Sequence, residues 1–386
     1  MQSVPRSYFI LHTSYSKKTS EQDNDGPARE QIRGAHEDRD LTRRKLTKRR
    51  DRIPSALLKE NPDEAIARVI TTEGFYYVLR VEDGSEIRAR TYKGTRSANP
   101  NATLVAIGDN VRLATPSPSE NQDGSTHDYL IEEVLPRHTK LSRRAAGRRD
   151  AFEQVIVANV DLLVIVVSVG KPKLRSGIID RYIVAGIEGG LDIVIAINKI
   201  DIAPEKEMDE AQYFQDVYQE VGYPVHLLSA INGSGIEGLK SEIAGKTSVF
   251  AGHSGVGKSS IINALLGREA AQTGKLQRKF KGGAHTTASS TLIPVEAIPD
   301  TFIADTPGVR EFANFELDPQ NLKFAFVEFQ KYQERCAIPN CSHTHEPGCA
   351  VRQAVEDDKI SIDRYSNYQK LFEEAKKEEL TRLYNQ

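Results

Sequence analysis

Cysteine is scarce in this chain of 386 residues: there are three, all between positions 336 and 349. An odd number confined to one short segment excludes a disulfide framework and points to a reducing compartment, so a cytoplasmic protein is expected. Long apolar runs are missing as well. The most apolar stretch, LLVIVVSV at 162–169, falls far short of the roughly 20 residues that cross a bilayer, and no membrane span or membrane partner is expected. Nor is there a large net charge of either sign, since 52 Lys and Arg nearly balance 54 Asp and Glu and leave a formal charge of -2. The balance is uneven along the chain, because LTRRKLTKRRDR at 41–52 carries seven basic residues against one acid, a local basic arm. Residues 1–60 are polar and poor in aromatics, too little material for a core. Their first 20 contain Arg6, Lys17, Lys18, several Ser and no acid, a composition shared by transit peptides and disordered basic leaders.

The length suits two or three folded units and a tail. From about 63 to 135 the chain reads as short runs rich in β-branched and aromatic residues, AIARVIT, FYYVLRV, EIRARTY, NVRLAT and DYLIEEVL, separated by turn residues. Five such strands predict a small closed barrel of the oligonucleotide-binding kind, with a β-sandwich as the alternative that periodicity does not separate. An Arg-rich connector at 137–150 follows. Beyond it apolar strands (LLVIVVSV, LDIVIAI, PVHLLS, TSVFA, TLIPVEAI, TFIAD) alternate with helical segments near 177–188, 205–221, 235–244 and 258–267. Such alternation predicts a largely parallel sheet with helices on both faces. From 314 the strands stop. Ile362, Tyr365, Tyr368, Leu371 and Phe372 recur at helical spacing there, which predicts a packing stripe.

GHSGVGKS, Gly252 to Ser259, sits between the strand TSVFA and the helix beginning SSIINALL. Two glycines flanking four residues, then Lys and Ser, form a phosphate-binding loop. Amides from Gly252, His253, Ser254, Gly255, Val256 and Gly257 through Lys258, Ser259 and Ser260 would surround phosphate oxygens. Lys258 brings a cation to the terminal phosphates, and the Ser259 hydroxyl faces a magnesium ion. NKID, Asn198, Lys199, Ile200 and Asp201, follows a buried strand. Asp201 accepts two hydrogen bonds from the guanine ring NH and amine, a donor pair adenine lacks. LLSA at 227–230 ends another strand with Ser229 and Ala230, whose amide would meet the guanine oxygen. DTPG places Asp305 in the magnesium shell and the Gly308 amide on the third phosphate. KGGAHTTASST between them offers Thr286 or Thr287 to magnesium, with Thr287 preferred, as the switch segment. The guanine-reading motifs precede the phosphate loop here, so the order is circularly permuted, which leaves every site residue in place when the fold's termini lie close together.

Cys336, Cys341, His343 and Cys349 supply three thiolates and an imidazole, a closed tetrahedral set for one structural zinc ion, with His345 the rival imidazole.

RSGIIDRYIVAG, NKID, AGHSGVGKSSIINAL, HTT, DTPGVREF and the Cys, Cys-Ser-His, Cys spacing together resemble the bacterial small-ribosomal-subunit biogenesis GTPases of the RsgA (YjeQ) type, over roughly 61–350. The resemblance implies a multidomain chain. Its parts would be a tail at 1–60, an oligonucleotide-binding barrel at 61–137, a circularly permuted α/β P-loop GTPase domain at 138–313 and a helical zinc-binding domain at 314–386. It also implies GTP hydrolysis with Mg2+, stimulated by the 30S subunit and coupled to release during late maturation, with rRNA as partner and the chain a monomer. The family suggests the switch His285 as the group acting on water, since Val309 stands where a water-orienting Gln would follow DTPG; Lys258 and Asp305 complete the expected catalytic set. The switch reads GAHTTAS, without the further polar or basic residue before His and the third Thr common in the family. An alternative is a guanine-nucleotide-regulated RNA-binding adaptor on another ribonucleoprotein that needs no turnover.

Overall fold

A computed structural model describes residues 66–114, 129–144, 152–267, 290–306 and 317–384. The basic arm and most of the Arg cluster at 143–149 lie outside the described residues.

The first strands are β1 (Ile66–Glu73), β2 (Tyr76–Arg80), β3 (Glu86–Arg90), the short β4 (Arg96–Ser97), β5 (Asn110–Leu113) and β6 (Tyr129–Val134). Strand β1 pairs with β2, β2 with β3, β3 in parallel with β6, β6 with β5, and β5 back with β1. Five strands thus close into a barrel, which decides against the sandwich. Alternation along each strand sends Val69, Leu79, Ile87, Val111 and Ile131 inward, all buried, as the two-residue period of a strand requires. The buried carboxylate of Asp109 closes the barrel toward the next layer: it accepts from Arg137 Nε at 2.7 Å and Nη2 at 2.8 Å, and from the Ala106 amide at 2.7 Å.

The Arg-rich connector contributes β7 (Lys140–Arg144), which pairs antiparallel with β8 (Glu153–Ala158). Its charged composition hid it from sequence patterning. Then come β9 (Leu162–Ser168), α1 (Ser176–Glu188), β10 (Asp192–Asn198), α2 (Glu205–Glu220), β11 (Val225–Leu227), α3 (Ile236–Ile243), β12 (Thr247–Ala251), α4 (Lys258–Leu266), β13 (Thr291–Pro294) and β14 (Phe302–Asp305). The spatial order β11-β10-β9-β12-β14-β13 is parallel except for β13. Every residue of the central β9 is buried, as expected where helices cover both faces. The barrel joins the edge of this sheet through Thr71 opposite Thr291. Arg68 donates to Asn159 O and Thr247 Oγ1, both at 2.9 Å, and Arg68 and Arg80 lie over the Phe302 ring.

Beyond 317 the chain is helical: 3-10 turns at Leu322–Ala325 and Val327–Phe329, then α5 (Gln330–Gln333), α6 (Ala350–Glu356) and α7 (Ile362–Tyr384). Tyr365, Tyr368 and Leu371 pack as the helical spacing predicts and Phe372 partly so, but Ile362 is 60% exposed because it opens α7 at the surface. The same helix buries two polar residues that patterning passed over, Arg364 and Asn367. Arg364 donates from Nη1 to Asp180 on α1 at 2.6 Å, and from Nε and Nη2 to both oxygens of Glu328 at 2.7 and 2.8 Å. Burial alone would lower the pKa of this guanidinium; the two carboxylates raise it above its ordinary value.

Asp109→Ala strands the Arg137 guanidinium and the Ala106 amide together, so it should cost the protein about 3–5 kcal/mol. Urea denaturation checks this, and a loss well under 1 kcal/mol would show that the pair does not hold the barrel.

Candidate nucleotide site and metal centre

Strand β12 runs into the phosphate loop, and two glycines there are sterically required. Gly252 has φ 147° and a side chain at this position would strike the Val166 carbonyl on β9; Gly257 has φ 96° and would strike the Asn198 amide nitrogen. Val256, buried, pins the loop to the core. His253, Ser254, Gly255, Ser259 and Ser260 are exposed. Helix α4 starts at Lys258, so its unpaired first-turn amides and the positive end of its dipole face the loop. The Lys258 ammonium donates to the carbonyls of Gly252 at 2.6 Å and His253 at 2.8 Å.

The base-reading motifs arrive on neighbouring strand ends. Asn198, buried at the end of β10, donates from Nδ2 to Val256 O at 2.9 Å and accepts the Ala230 amide on Oδ1 at 3.1 Å. One carboxamide therefore ties the NKID loop, the phosphate loop and the LLSA loop together. The Ala230 amide, assigned from sequence to the guanine oxygen, is held by Asn198 in this arrangement. Ser229 is buried, and its Oγ accepts the amides of Ile231 and Asn232, both at 3.3 Å. Lys199 adopts a left-handed conformation, φ 71°, with Nζ donating to Lys171 O at 2.6 Å. A 3-10 turn, Ile200–Ile202, then leaves Asp201 exposed.

Sequence patterning did not single out the partner of Lys199, the segment after β9. There Ser168 Oγ donates to Pro172 O at 3.2 Å, the Lys171–Pro172 peptide is cis, and Pro172 lies beside Gly255. Apart from Pro172, nothing in its composition marks it as part of a site.

Asp305 ends β14, which runs parallel to β12 with Ala304 opposite Val249. Its carboxylate therefore leaves the sheet on the same edge as the phosphate loop. The Ser259 hydroxyl and Asp305 carboxylate are oxygen donors of the type a hard divalent cation takes. His285, Thr286, Thr287, Gly308 and Val309 lie outside the described residues.

Cys336, Cys341, His343 and Cys349 bring their ligand atoms within 4.8 Å of one another. His343 Nδ1 stands 3.6 Å from Cys336 Sγ and 3.5 Å from Cys349 Sγ, and the His343 amide donates to Cys341 Sγ at 3.4 Å. His345 is exposed beside Thr344, outside the cluster. Burial, with Lys323 nearby, lowers the His343 pKa to about 4, which favours the neutral ring; burial and the neighbouring thiols push Cys341 up to about 12. Three crowded sulfurs and a neutral imidazole fit a soft or borderline cation, which would relieve that crowding. Around them Glu346 accepts the Ser342, Thr344 and His345 amides at 2.6, 3.1 and 3.2 Å, and α7 contributes Tyr365 OH to His343 O at 2.8 Å and Tyr368 OH to Ser342 O at 2.5 Å.

A profile of the RsgA GTPase family matches residues 134–315. The chain is 39% identical over 309 residues to a small ribosomal subunit biogenesis GTPase RsgA of Chlorobaculum tepidum, spanning 79% of this chain and 96% of that protein. It is 34% identical to a small ribosomal subunit biogenesis GTPase RsgA 2 of Bacteroides thetaiotaomicron, over 79% and 96% respectively. Among solved structures, YjeQ from Thermotoga maritima superposes with a TM-score of 0.62 at 29% identity, covering 81% of this chain and 98% of that one. YloQ, described as a circularly permuted GTPase, superposes with a TM-score of 0.60 at 25% identity, covering 81% and 95%. At 39% identity over nearly the whole of the Chlorobaculum protein, and with the family profile matched across the permuted sheet, the chain belongs to the RsgA GTPase family.

Proposed function

We propose that this protein binds GTP and GDP in the cleft around Asn198, and that GTP hydrolysis governs its docking to and release from a maturing 30S ribosomal subunit. The observation that carries the reading is the Asn198 carboxamide, whose two hydrogen bonds join the loop that would read guanine to the loop that would hold phosphates. The names of the Chlorobaculum and Bacteroides relatives support the ribosomal partner.

In this reading Asp201 accepts the guanine ring NH and amine, and Lys258 leaves the Gly252 and His253 carbonyls for the terminal phosphates. Ser259, Asp305 and Thr287 would hold magnesium, which neutralises charge on the phosphate oxygens when bound. The Gly308 amide would face the third phosphate and His285 would orient the attacking water. The Cys336, Cys341, His343 and Cys349 centre takes one zinc ion with all four positions filled, a structural role. The four-part division of the chain at 60, 137 and 313 stands as part of this proposal, as does action as a monomer in the cytoplasm.

Contact with rRNA draws on the barrel. Phe75, in the β1–β2 turn, is 89% exposed, and the Arg88 guanidinium lies 3.5 Å over the Tyr76 ring. Aromatic faces beside cations suit stacking of unpaired bases with salt-sensitive phosphate contacts. An adaptor that needs no turnover is the alternative; it would use Lys258 and Asp305 for binding alone and leave a water-orienting group without work.

Phosphate release should rise at least tenfold when 30S subunits are added, and GTP-loaded protein should co-sediment with the small subunit rather than the large; release unchanged by subunits would favour the adaptor. Asp201→Asn should shift preference from GTP toward XTP by roughly two orders of magnitude, because an amide donates to the extra carbonyl of xanthine. Unaltered selectivity in a competition assay would remove Asp201 from the base. Metal analysis should return about one zinc per chain, and Cys349→Ser should abolish it; a zinc-free native protein would end the structural-zinc assignment.

A further inference from the structure

Helix α7 carries two adjacent stripes that reach different places. Residues 365 and 368 hold the backbone of the Cys/His loop through their hydroxyls. Residues 364 and 367, one position earlier in each case and about 100° round the helix, face α1 instead. Asn367 Nδ2 donates to Ser176 Oγ at 3.0 Å and to Asp180 Oδ2 at 2.7 Å, while Arg364 takes Asp180 Oδ1. From α2, the single Tyr218 hydroxyl proton is shared between Asp180 Oδ1 at 2.9 Å and Ser176 O at 3.1 Å. Asp180 is fully buried and receives three donors, so its position is closely defined.

Ser176 is the first residue of α1. Shortly before it lies the segment that borders both halves of the nucleotide cleft: Pro172 stands where a side chain on Gly255 of the phosphate loop would meet it, and the Lys171 carbonyl accepts from the Lys199 ammonium. Side chains on α7 therefore grip the start of α1 at one end of their reach and the metal-ligand loop at the other. The contacts between are short, buried and polar, the kind that lose their energy steeply when displaced.

We propose that Arg364 and Asn367 are positioning residues for the nucleotide site, and that metal in the Cys336–Cys349 centre and guanine nucleotide in the cleft bind cooperatively through them. The inference rests on the nucleotide and metal readings above. A cation that ties the four ligands fixes the loop to which Tyr365 and Tyr368 are bonded. That fixes α7, which presents Asn367 to Ser176 and so holds the Lys171–Pro172 segment against Lys199 and Gly255. Without the cation the crowded ligands spread, α7 loosens, and the segment costs more to order when nucleotide arrives. Binding linkage is reciprocal, so the effect must run equally from nucleotide to metal.

The test uses the full chain as purified with its metal and a fluorescent GDP analogue. Removing the metal with a chelator should weaken GDP binding about 5- to 20-fold, and saturating GDP should weaken chelator extraction by the same factor. Asn367→Ala, or Ser176→Ala if the first variant folds poorly, should weaken GDP binding with metal in place and shrink the chelation effect to less than about twofold. Thr381→Ala, at the exposed far end of α7, should keep the wild-type coupling. The ratio is diagnostic, because a general loss of stability does not abolish a coupling between two ligands. Equal GDP affinity with and without metal in the wild type overturns the coupling alone, as does full coupling in both variants. A wild type that binds no guanine nucleotide at all overturns the reading of the cleft on which it rests, a distinct result.

Discussion

Asn198 lies buried at the end of β10, its Nδ2 on the Val256 carbonyl and its Oδ1 under the Ala230 amide. Three loops from three strands meet on that one side chain, and without it the Val256 carbonyl and the Ala230 amide would lose their partner. Gly257 must be glycine because any side chain there would occupy the space of the Asn198 amide. The phosphate loop thus owes its local shape partly to a residue 59 positions earlier, and a permuted order of motifs makes no difference to a contact made through space.

Around that contact the molecule is built outward by polar bridges rather than by apolar packing alone. Arg68 reaches from β1 to Thr247 at the start of β12 and to Asn159, so the barrel is held to the strand that feeds the phosphate loop. On the other side, Arg364 sits between Asp180 and Glu328, and a buried guanidinium between two carboxylates is tolerated only when every donor is placed. Such bridges specify orientation more sharply than apolar surfaces, which slide at small cost. Barrel and helical region are thus each fixed to the parallel sheet by directional bonds.

Much of the barrel and sheet was legible from the chain because their strands obey simple periods. The apolar runs LLVIVVSV and LDIVIAI became adjacent buried strands, and the short alternating runs became the closed barrel. The pair β7–β8 was not legible: KLSRR and EQVIVA look like connector and edge, and only their pairing with each other makes them a sheet. Arg364 and Asn367 were hidden for a related reason. Polar residues at helical spacing ordinarily mark a solvent face, and burial of these two depends on Asp180 and Glu328 arriving from elsewhere.

The sequence by itself determined the chemistry at each position: a glycine-framed loop with Lys258, a carboxylate at Asp201, and thiols with His343 at zinc-ligand spacing. These follow from residue type and short spacing, which local geometry converts directly into donors and acceptors. Tertiary structure alone decided where the Ala230 amide is spent and how α7 is fixed to α1. Those outcomes turn on contacts between residues 32 to 191 positions apart, and no local pattern encodes which distant partner will be near enough to satisfy a buried polar group.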